Sequence, residues 1–208
     1  MVDTGADFRT QVLRAKIRKI DAAVFTHSHT DHVMGFDDLR RFSAFRGGMP
    51  VYASAETMAD LRRVFEFAFD GRNRFPGYLK PEPHLVDGPF DLGLTTLTPL
   101  PVPHGNSEVY GYLFTRGGEK LAAYLSDCSG VPDSIAATIH GVKALIIDAL
   151  RPEPHPTHLS VSQALEVAAR VQPNETYFTH ISHELPQTAE ADLPPNTFIA
   201  YDGLQLEL

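Results

Sequence analysis

The sequence predicts an α/β fold in which strands and helices are mixed along the chain, and three observations lead to this prediction. Short apolar runs such as IDAAVF (20–25) and KALIIDAL (143–150) have the length and composition of buried strands. The segment LSVSQALEVAARVQP has apolar residues at helical spacing behind Ser160 and Gln163, a pair that predicts a capping box. Turn residues in PHGNSE and RGGE separate three further strand-like pieces and predict an antiparallel meander: 95–102, 109–115 and 120–126.

The elements before the meander are expected in the order strand, loop, helix, strand and helix. Helical spacing in GFDDLRRFSAF (35–45) ends at Gly47 and Gly48, and the strand VYA then enters a helix capped by Ser54. Residues 70–83 contain Gly, Pro and mixed charge without a period, which indicates an irregular surface excursion and a candidate lid. We expect one domain over residues 1–208, completed by three more strands: 175–179, 197–201 and 204–207.

Composition and charge exclude several classes of protein. The chain has 18 basic and 26 acidic residues, a net charge of −8 without long runs, so a large nucleic acid is not an expected partner. No segment approaches the roughly 18 apolar residues of a membrane span, and the start lacks a signal sequence, so we expect a soluble, cytoplasmic protein without a membrane partner. Because Cys128 is the single cysteine, any metal must be bound by histidine and carboxylate.

The segment FTHSHTDHVMG (25–35) places three histidines and one aspartate within six positions, directly after a predicted strand. Imidazole and carboxylate suit zinc, iron and manganese, and alternate residues of this loop can face two neighbouring ions. Two ions about 3.5–4 Å apart can share a water and lower its pKa towards neutrality, which is hydrolytic chemistry. A histidine-rich surface loop is the alternative. Three more polar residues follow predicted strands and would share this rim if the strands share an edge: His104, Asp127 and His180.

In this order, HSHTDH, PVPHGN, LSDCSG and FTHISH resemble the metallo-β-lactamase fold superfamily of binuclear hydrolases, over nearly the whole chain. The resemblance implies a four-layer αββα sandwich of two mixed sheets flanked by helices. Having both a histidine at 32 and an aspartate at 127 resembles glyoxalase II and ribonuclease Z, so drug hydrolysis is not expected. The resemblance further implies two divalent ions, Zn²⁺ or Mn²⁺, with Fe also compatible. One ion would be bound by His27, His29 and His104, the other by Asp31, His32 and His180, and Asp127 would bridge the two.

Residues 3–40 and 150–165 further resemble the branch that contains the phosphoribosyl cyclic phosphodiesterase of the carbon–phosphorus lyase pathway. His158 matches the position of an extra active-site histidine in that branch and in ribonuclease Z, where it would protonate a leaving oxygen. The resemblance therefore implies a phosphodiesterase that cleaves a small cyclic or nucleotide-like phosphodiester with a metal-bridging hydroxide, which Asp31 would orient. A turn residue bonded to backbone is the alternative for His158.

Two other functions stay open at this point. One is hydrolysis of a thioester or lactone, and the other is metal binding without turnover, as in the pyrroloquinoline-quinone pathway member of the superfamily. Asp3 in VDTG resembles the aspartate packed beneath the metal loop, and Asp148 either supports the site or merely ends a strand. His155 and His183 are either substrate contacts or ordinary loop residues. Family members carry a strand pair ahead of DTG, so we expect the first strands to be missing and the exposed edge to favour a homodimer.

Overall fold

The computed structural model describes residues 1–43, 47–72, 75 and 77–208. The chain divides into two compact units, Met1–Asp87 and Gly88–Leu208, and each unit has one β-sheet with its own hydrophobic core. Strands and helices are mixed in both units, which confirms the predicted α/β class. The expectation of one domain over residues 1–208 stays a prediction.

The first unit is built on a three-stranded parallel sheet of order β1-β2-β3. Its strands are β1 (Ala23–Val24), β2 (Met49–Ala53) and β3 (Pro81–Leu85). Its helices are α1 (Phe8–Arg14), α2 (Thr30–Val33), α3 (Arg40–Ser43), α4 (Ala55–Val64), α5 (Glu66–Phe69) and a 3-10 helix at Phe36–Leu39. The hydroxyl of Ser54 accepts a hydrogen bond from the Thr57 amide at 3.2 Å, so the predicted cap of α4 is confirmed.

The N-terminal segment runs beside β1 and packs against the loop that follows it. The amide of Asp3 donates to the carbonyl oxygen of Val24 at 2.9 Å. A Cβ atom on Gly5 would lie 2.6 Å from the carbonyl oxygen of Asp31, and one on Gly35 would lie 2.6 Å from the carbonyl oxygen of Gly5. Glycine is therefore needed at both positions for this close backbone approach.

The second unit is built on a seven-stranded mixed sheet of order β10-β9-β8-β7-β6-β5-β4. Strands β4 to β7 are antiparallel neighbours, which confirms the predicted meander, whereas β7 to β10 run parallel. The strands are β4 (Phe90–Leu92), β5 (Thr95–His104), β6 (Ser107–Arg116), β7 (Glu119–Leu125), β8 (Ala144–Asp148), β9 (Glu175–Thr179) and β10 (Thr197–Ile199). The helices are α6 (Asp133–Ile139), α7 (Val161–Val171) and a 3-10 helix at Gln187–Asp192.

Helix α7 begins at the predicted capping box. The Gln163 amide donates to Oγ of Ser160 at 3.4 Å, and the Ser160 amide donates to Oε1 of Gln163 at 2.9 Å. Its buried residues Ala164 and Val167 belong to the core cluster that also contains Phe178 of β9. The start of α7 is therefore fixed, and with it the end of the loop that joins β8 to α7.

The structure differs from several local predictions. The strand expected over 20–25 is limited to Ala23–Val24, and residues 204–207 form no strand because Leu204 and Leu206 instead pack against the core cluster around Tyr177. The three described strands of the first sheet run parallel to one another. Residues 44 and 45 of the expected helix, and 73, 74 and 76 of the candidate lid, lie outside the described residues. Among the helices of the described ranges, none is long and apolar enough to cross a membrane.

Candidate metal centre

The loop that follows β1 carries four of the predicted ligands. Nε2 of His27 lies 3.0 Å from Nδ1 of His29, and Oδ2 of Asp31 lies 3.4 Å from Nε2 of His32. Two nitrogen ligands of one tetrahedral zinc ion stand about 3.3 Å apart when each Zn–N distance is 2.0–2.1 Å. The imidazole spacing in this loop therefore suits a shared ion.

Asp3 orients two of these imidazole rings through hydrogen bonds. Its Oδ1 accepts from the Thr26 amide at 2.9 Å, and its Oδ2 accepts from the Thr26 hydroxyl and from Nδ1 of His32, both at 2.8 Å. Because the Thr26 hydroxyl donates to Asp3, it accepts from Nδ1 of His27 at 2.9 Å. Neutral His27 and His32 then carry their lone pairs on Nε2, the atom through which each ring would bind a metal.

The second unit brings His104, Asp127 and His180 together at the ends of β5, β7 and β9. One carboxylate oxygen of Asp127, Oδ2, lies 3.4 Å from Nε2 of His180 and 3.9 Å from Nε2 of His104. Nδ1 of His104 bonds the carbonyl oxygen of Thr157 at 2.8 Å, which leaves the lone pair of the neutral ring on Nε2. Asp127 would therefore be able to hold a metal together with either imidazole.

His158 lies beside two of these residues in the same unit. Its ring centroid is 4.8 Å from that of His104 and 4.8 Å from that of His180, on which it stacks with an interplanar angle of 12°. Its Nδ1 lies 2.8 Å from Oδ2 of Asp148. The ring thus bonds a carboxylate at the end of the preceding strand, and the catalytic role of His158 stays a prediction.

Asp148 is a fully buried carboxylate at the end of β8. Its Oδ2 also accepts from the Cys128 amide at 3.0 Å, whereas its Oδ1 is buried and has no hydrogen-bond partner among the described residues. Burial raises the pKa of the Asp148 carboxyl, and the hydrogen bonds from His158 and from the Cys128 amide offset only part of this effect. Asp148 therefore supports His158 and does more than end a strand.

The remaining histidines differ in their distance from this cluster. The ring of His155 lies 5.1 Å from that of His158, and desolvation and the charge of His158 lower the pKa of His155. His183 is exposed on the loop after His180, while His140 bonds Gln172 at the other end of the unit's helices.

Two contacts near these residues were not predicted. The Arg151 guanidinium donates to the carbonyl oxygens of Glu153 and Pro154 and thereby shapes the loop that leads to His158. Ser28, between two predicted ligands, donates to Asp60 of α4. The arginine in LRPEPHPTHLS is a local signal that could have indicated the first contact. The second joins residues 32 positions apart and has no local signal.

Both units thus present clustered imidazole and carboxylate groups, and hydrogen bonds orient the rings of His27, His32, His104 and His158. This donor set fits a borderline divalent ion such as zinc or manganese. A mixed α/β fold that carries such clusters of candidate metal ligands places the chain in the class of metal-binding α/β proteins.

Residues 1–181 match the family described as the beta-lactamase superfamily domain, and the chain therefore belongs to this superfamily. The match confirms the expected metallo-β-lactamase fold, which implies the use of divalent metal ions. A solved structure of a diphosphatase from the PhnP family is 41% identical, with a TM-score of 0.88 over 99% of this chain and 77% of that chain. This structure agrees with the branch that the sequence resembles.

Two curated relatives are similar in sequence. An octanoyltransferase from Porphyromonas gingivalis is 33% identical over 99% of this chain and 41% of its own length. A ribonuclease Z from a Bradyrhizobium species is 31% identical over 59% of this chain and 44% of its own length. The chain spans less than half of the length of both relatives.

Proposed function

We propose that this protein is a binuclear metal-dependent phosphodiesterase that cleaves a small cyclic or nucleotide-like phosphodiester. The observation that carries the proposal is His158, held by the buried Asp148 beside His104 and His180. An imidazole in this position can protonate the oxygen that leaves phosphorus. The names of two relatives, a diphosphatase and a ribonuclease, also denote enzymes that act on phosphoryl groups.

The proposed site holds two divalent ions, Zn²⁺ or Mn²⁺, with iron as a further candidate. When bound, the ions supply Lewis-acid activation of water and positive charge for the phosphoryl oxygens. That local charge is how a chain with a net charge of −8 can bind an anionic substrate. The proposed ligands are His27, His29 and His104 for one ion, Asp31, His32 and His180 for the other, and Asp127 for both.

The side chains of the protein have distinct roles in this reaction. The carboxylate of Asp31, whose side chain is 60% exposed, orients the attacking water. Nε2 of His158 gives a proton to the leaving alkoxide, and Asp148 stabilises the imidazole in its protonated form through the bond to Nδ1. Because water is the nucleophile, no covalent bond to the protein forms.

Elemental analysis of the purified protein tests the metal site. We expect about two divalent ions per chain, and a lower content in the His27→Ala variant because one imidazole ligand is removed. His140→Ala is the matched control, since His140 bonds Gln172 and is exposed. Absence of metal from the native protein at neutral pH, or an unchanged content in His27→Ala, would contradict the proposal.

A panel of substrates tests the reaction. It compares bis(p-nitrophenyl) phosphate and cyclic ribose phosphates with a diphosphate such as ADP-ribose, a glutathione thioester, an octanoyl thioester and a lactone. The highest kcat/KM on a phosphodiester supports the proposal, whereas preference for the diphosphate shifts the assignment to phosphoanhydride cleavage. A metal-loaded protein that is inert on all of these compounds is a binding protein.

Thioester hydrolysis is the second candidate function. It is favoured by the 33% identity to an octanoyltransferase, whose name denotes transfer of an acyl group. The same ions would activate water for attack on a carbonyl carbon. Preference for the octanoyl or glutathione thioester over every phosphoryl compound would replace the phosphodiesterase assignment.

A further inference from the structure

Ser28 stands between two proposed metal ligands and faces away from them. The residue after it, His29, has an extended backbone with φ −61° and ψ 150°. In an extended segment, residues i and i+2 project to one side and residue i+1 to the other. The geometry agrees, because the rings of His27 and His29 meet at 3.0 Å while the Ser28 hydroxyl contacts helix α4.

The contact of Ser28 is a short hydrogen bond to a charged acceptor. Its Oγ donates to Oδ2 of Asp60 at 2.6 Å, a length typical of a hydroxyl bound to a carboxylate. The other oxygen of Asp60 accepts from Arg63 at 2.7 Å. The hydrogen bond from Ser28 and then that from Arg63 lower the pKa of Asp60, so the acceptor is ionised at neutral pH.

Asp60 is a fixed anchor because its helix is fixed. Helix α4 is capped by Ser54, and Met58 and Leu61, on either side of Asp60, are buried in the core cluster of the first unit. The side chain of Asp60 is 29% exposed and is held at both oxygens. The carboxylate therefore offers a rigid point to the loop that passes it.

The segments on both sides of Ser28 have their own anchors. Thr26 is held by the carboxylate of Asp3, and the carbonyl oxygen of His29 accepts from the amides of His32 and Val33 at 3.0 and 3.2 Å. The hydrogen bond from Ser28 to Asp60 adds a third fixed point, at the residue between the proposed ligands His27 and His29. Each of these hydrogen bonds orders the segment before an ion binds, and this lowers the conformational entropy cost of binding.

We propose that Asp60 is a positioning residue that acts through Ser28 to hold the imidazoles of His27 and His29 in the geometry that binds one metal ion. The inference rests on the proposed function only in that the chain must bind metal. It adds a role for helix α4, whose residues are absent from the ligand set. Loss of such an outer partner typically weakens metal affinity 10–100-fold.

The test challenges zinc-loaded protein with increasing concentrations of a chelator and measures the metal that remains bound after gel filtration. We expect Ser28→Ala and Asp60→Ala each to weaken retention of one ion about 10–100-fold. The double variant should be no weaker than either single variant, because both changes remove the same bond. Arg63→Ala is the matched control that removes the other partner of Asp60 and should retain metal like the native chain.

A merely structural role would give a different result. Alanine is a better helix former than aspartate, so Asp60→Ala should keep the Tm of the metal-free protein. Metal retention within twofold of the native chain, additive effects in the double variant, or a loss that follows only from a lowered Tm would overturn the inference. If the native chain itself binds no zinc, the proposed function fails as well, whereas normal binding by both single variants leaves that function intact and refutes the role of Asp60 alone.

Discussion

Nδ1 of His158 lies 2.8 Å from Oδ2 of Asp148, a carboxylate with no exposed surface. The bond fixes the orientation of the imidazole, and Nε2 is the other ring nitrogen, to which the proposed proton transfer is assigned. The same ring stacks on His180, a proposed ligand. The contact between His158 and Asp148 is the one on which the proposed acid catalysis depends.

Replacing the imidazole should remove the proposed acid and spare the metal. We expect His158→Ala to lower kcat/KM for a phosphodiester about 10²–10⁴-fold, the usual effect of general acid catalysis, with metal content unchanged. Steady-state kinetics and elemental analysis of the same preparations measure both quantities. His140→Ala serves as the control, and a normal rate in His158→Ala would exclude the acid role.

Replacing the carboxylate should impair the same step more mildly. Asp148→Asn keeps the shape of the side chain but loses the charge that stabilises protonated His158, so we expect kcat to fall about 10–100-fold. The variant's kcat is compared with that of Asp133→Asn, which changes a 97% exposed carboxylate. An unchanged kcat would show that His158 needs no anionic partner.

Asp3 accepts three hydrogen bonds, and an asparagine could not accept all of them. The NH₂ group of the asparagine would face either Thr26 or His32. Facing His32, it would donate to Nδ1, and the neutral ring would then carry its proton on Nε2, the nitrogen that should bind metal. We therefore expect Asp3→Asn to weaken metal affinity about 10–100-fold in chelator competition. Asp7→Asn, on an exposed residue nearby, is the control, and equal affinity in the two variants would contradict the tautomer argument.

The thiol of Cys128 should be unreactive in the folded protein. It has no exposed surface, and burial followed by the charges of Asp148 and Asp127 raises its pKa well above the ordinary value. We expect a thiol reagent at pH 8 to label the native chain at least about 100-fold more slowly than the chain in urea. Labelling at similar rates would place the thiol in contact with solvent.

Tyr177 should make stability depend on pH in alkaline solution. Burial and the hydrogen bond to Glu175 raise its pKa from 10.0 to about 12, so the folded chain holds this proton more tightly than the unfolded chain. The resulting stabilisation is complete below pH 10 and is lost as the pH rises towards 12.

The variant Tyr177→Phe has no such proton to lose. We measure the free energy of unfolding in urea at pH 9 and at pH 11.5. The decrease between these two values should be about 1–2 kcal/mol smaller for the variant than for the native chain. Tyr201→Phe, at a 61% exposed tyrosine, should behave like the native chain. Parallel declines in all three proteins would contradict the raised pKa.

Short sequence motifs predicted the features whose interacting residues are close together in the sequence. The capping box of Ser160 and Gln163 and the meander were correct because the chain neighbours that form them are adjacent in sequence. The expected strand over 204–207 was wrong, since alternating Leu204 and Leu206 are equally satisfied by packing against a core cluster. Periodicity describes which side chains are buried but not what covers them.

The site shows the same limit. The order of histidines and aspartates along the chain was enough to nominate candidate ligands, and the structure brings those of each unit close together, while their binding of metal stays a prediction. The bonds that orient them were not predictable, because Asp3 reaches His32 and Ser28 reaches Asp60 across 29 and 32 positions. Such pairs depend on how strands and helices pack, which no short motif records.

Oδ2 of Asp148 bonds both the ring of His158 and the amide of Cys128, the residue next to Asp127. One atom therefore contacts both the ring of the proposed proton donor and the backbone beside a proposed metal ligand. A change at residue 148 would therefore alter the surroundings of the His158 ring and of the Cys128 amide together. A redesign of this region should therefore begin at a partly exposed position such as His155, whose ring lies 5.1 Å from that of His158, and leave Asp148 in place.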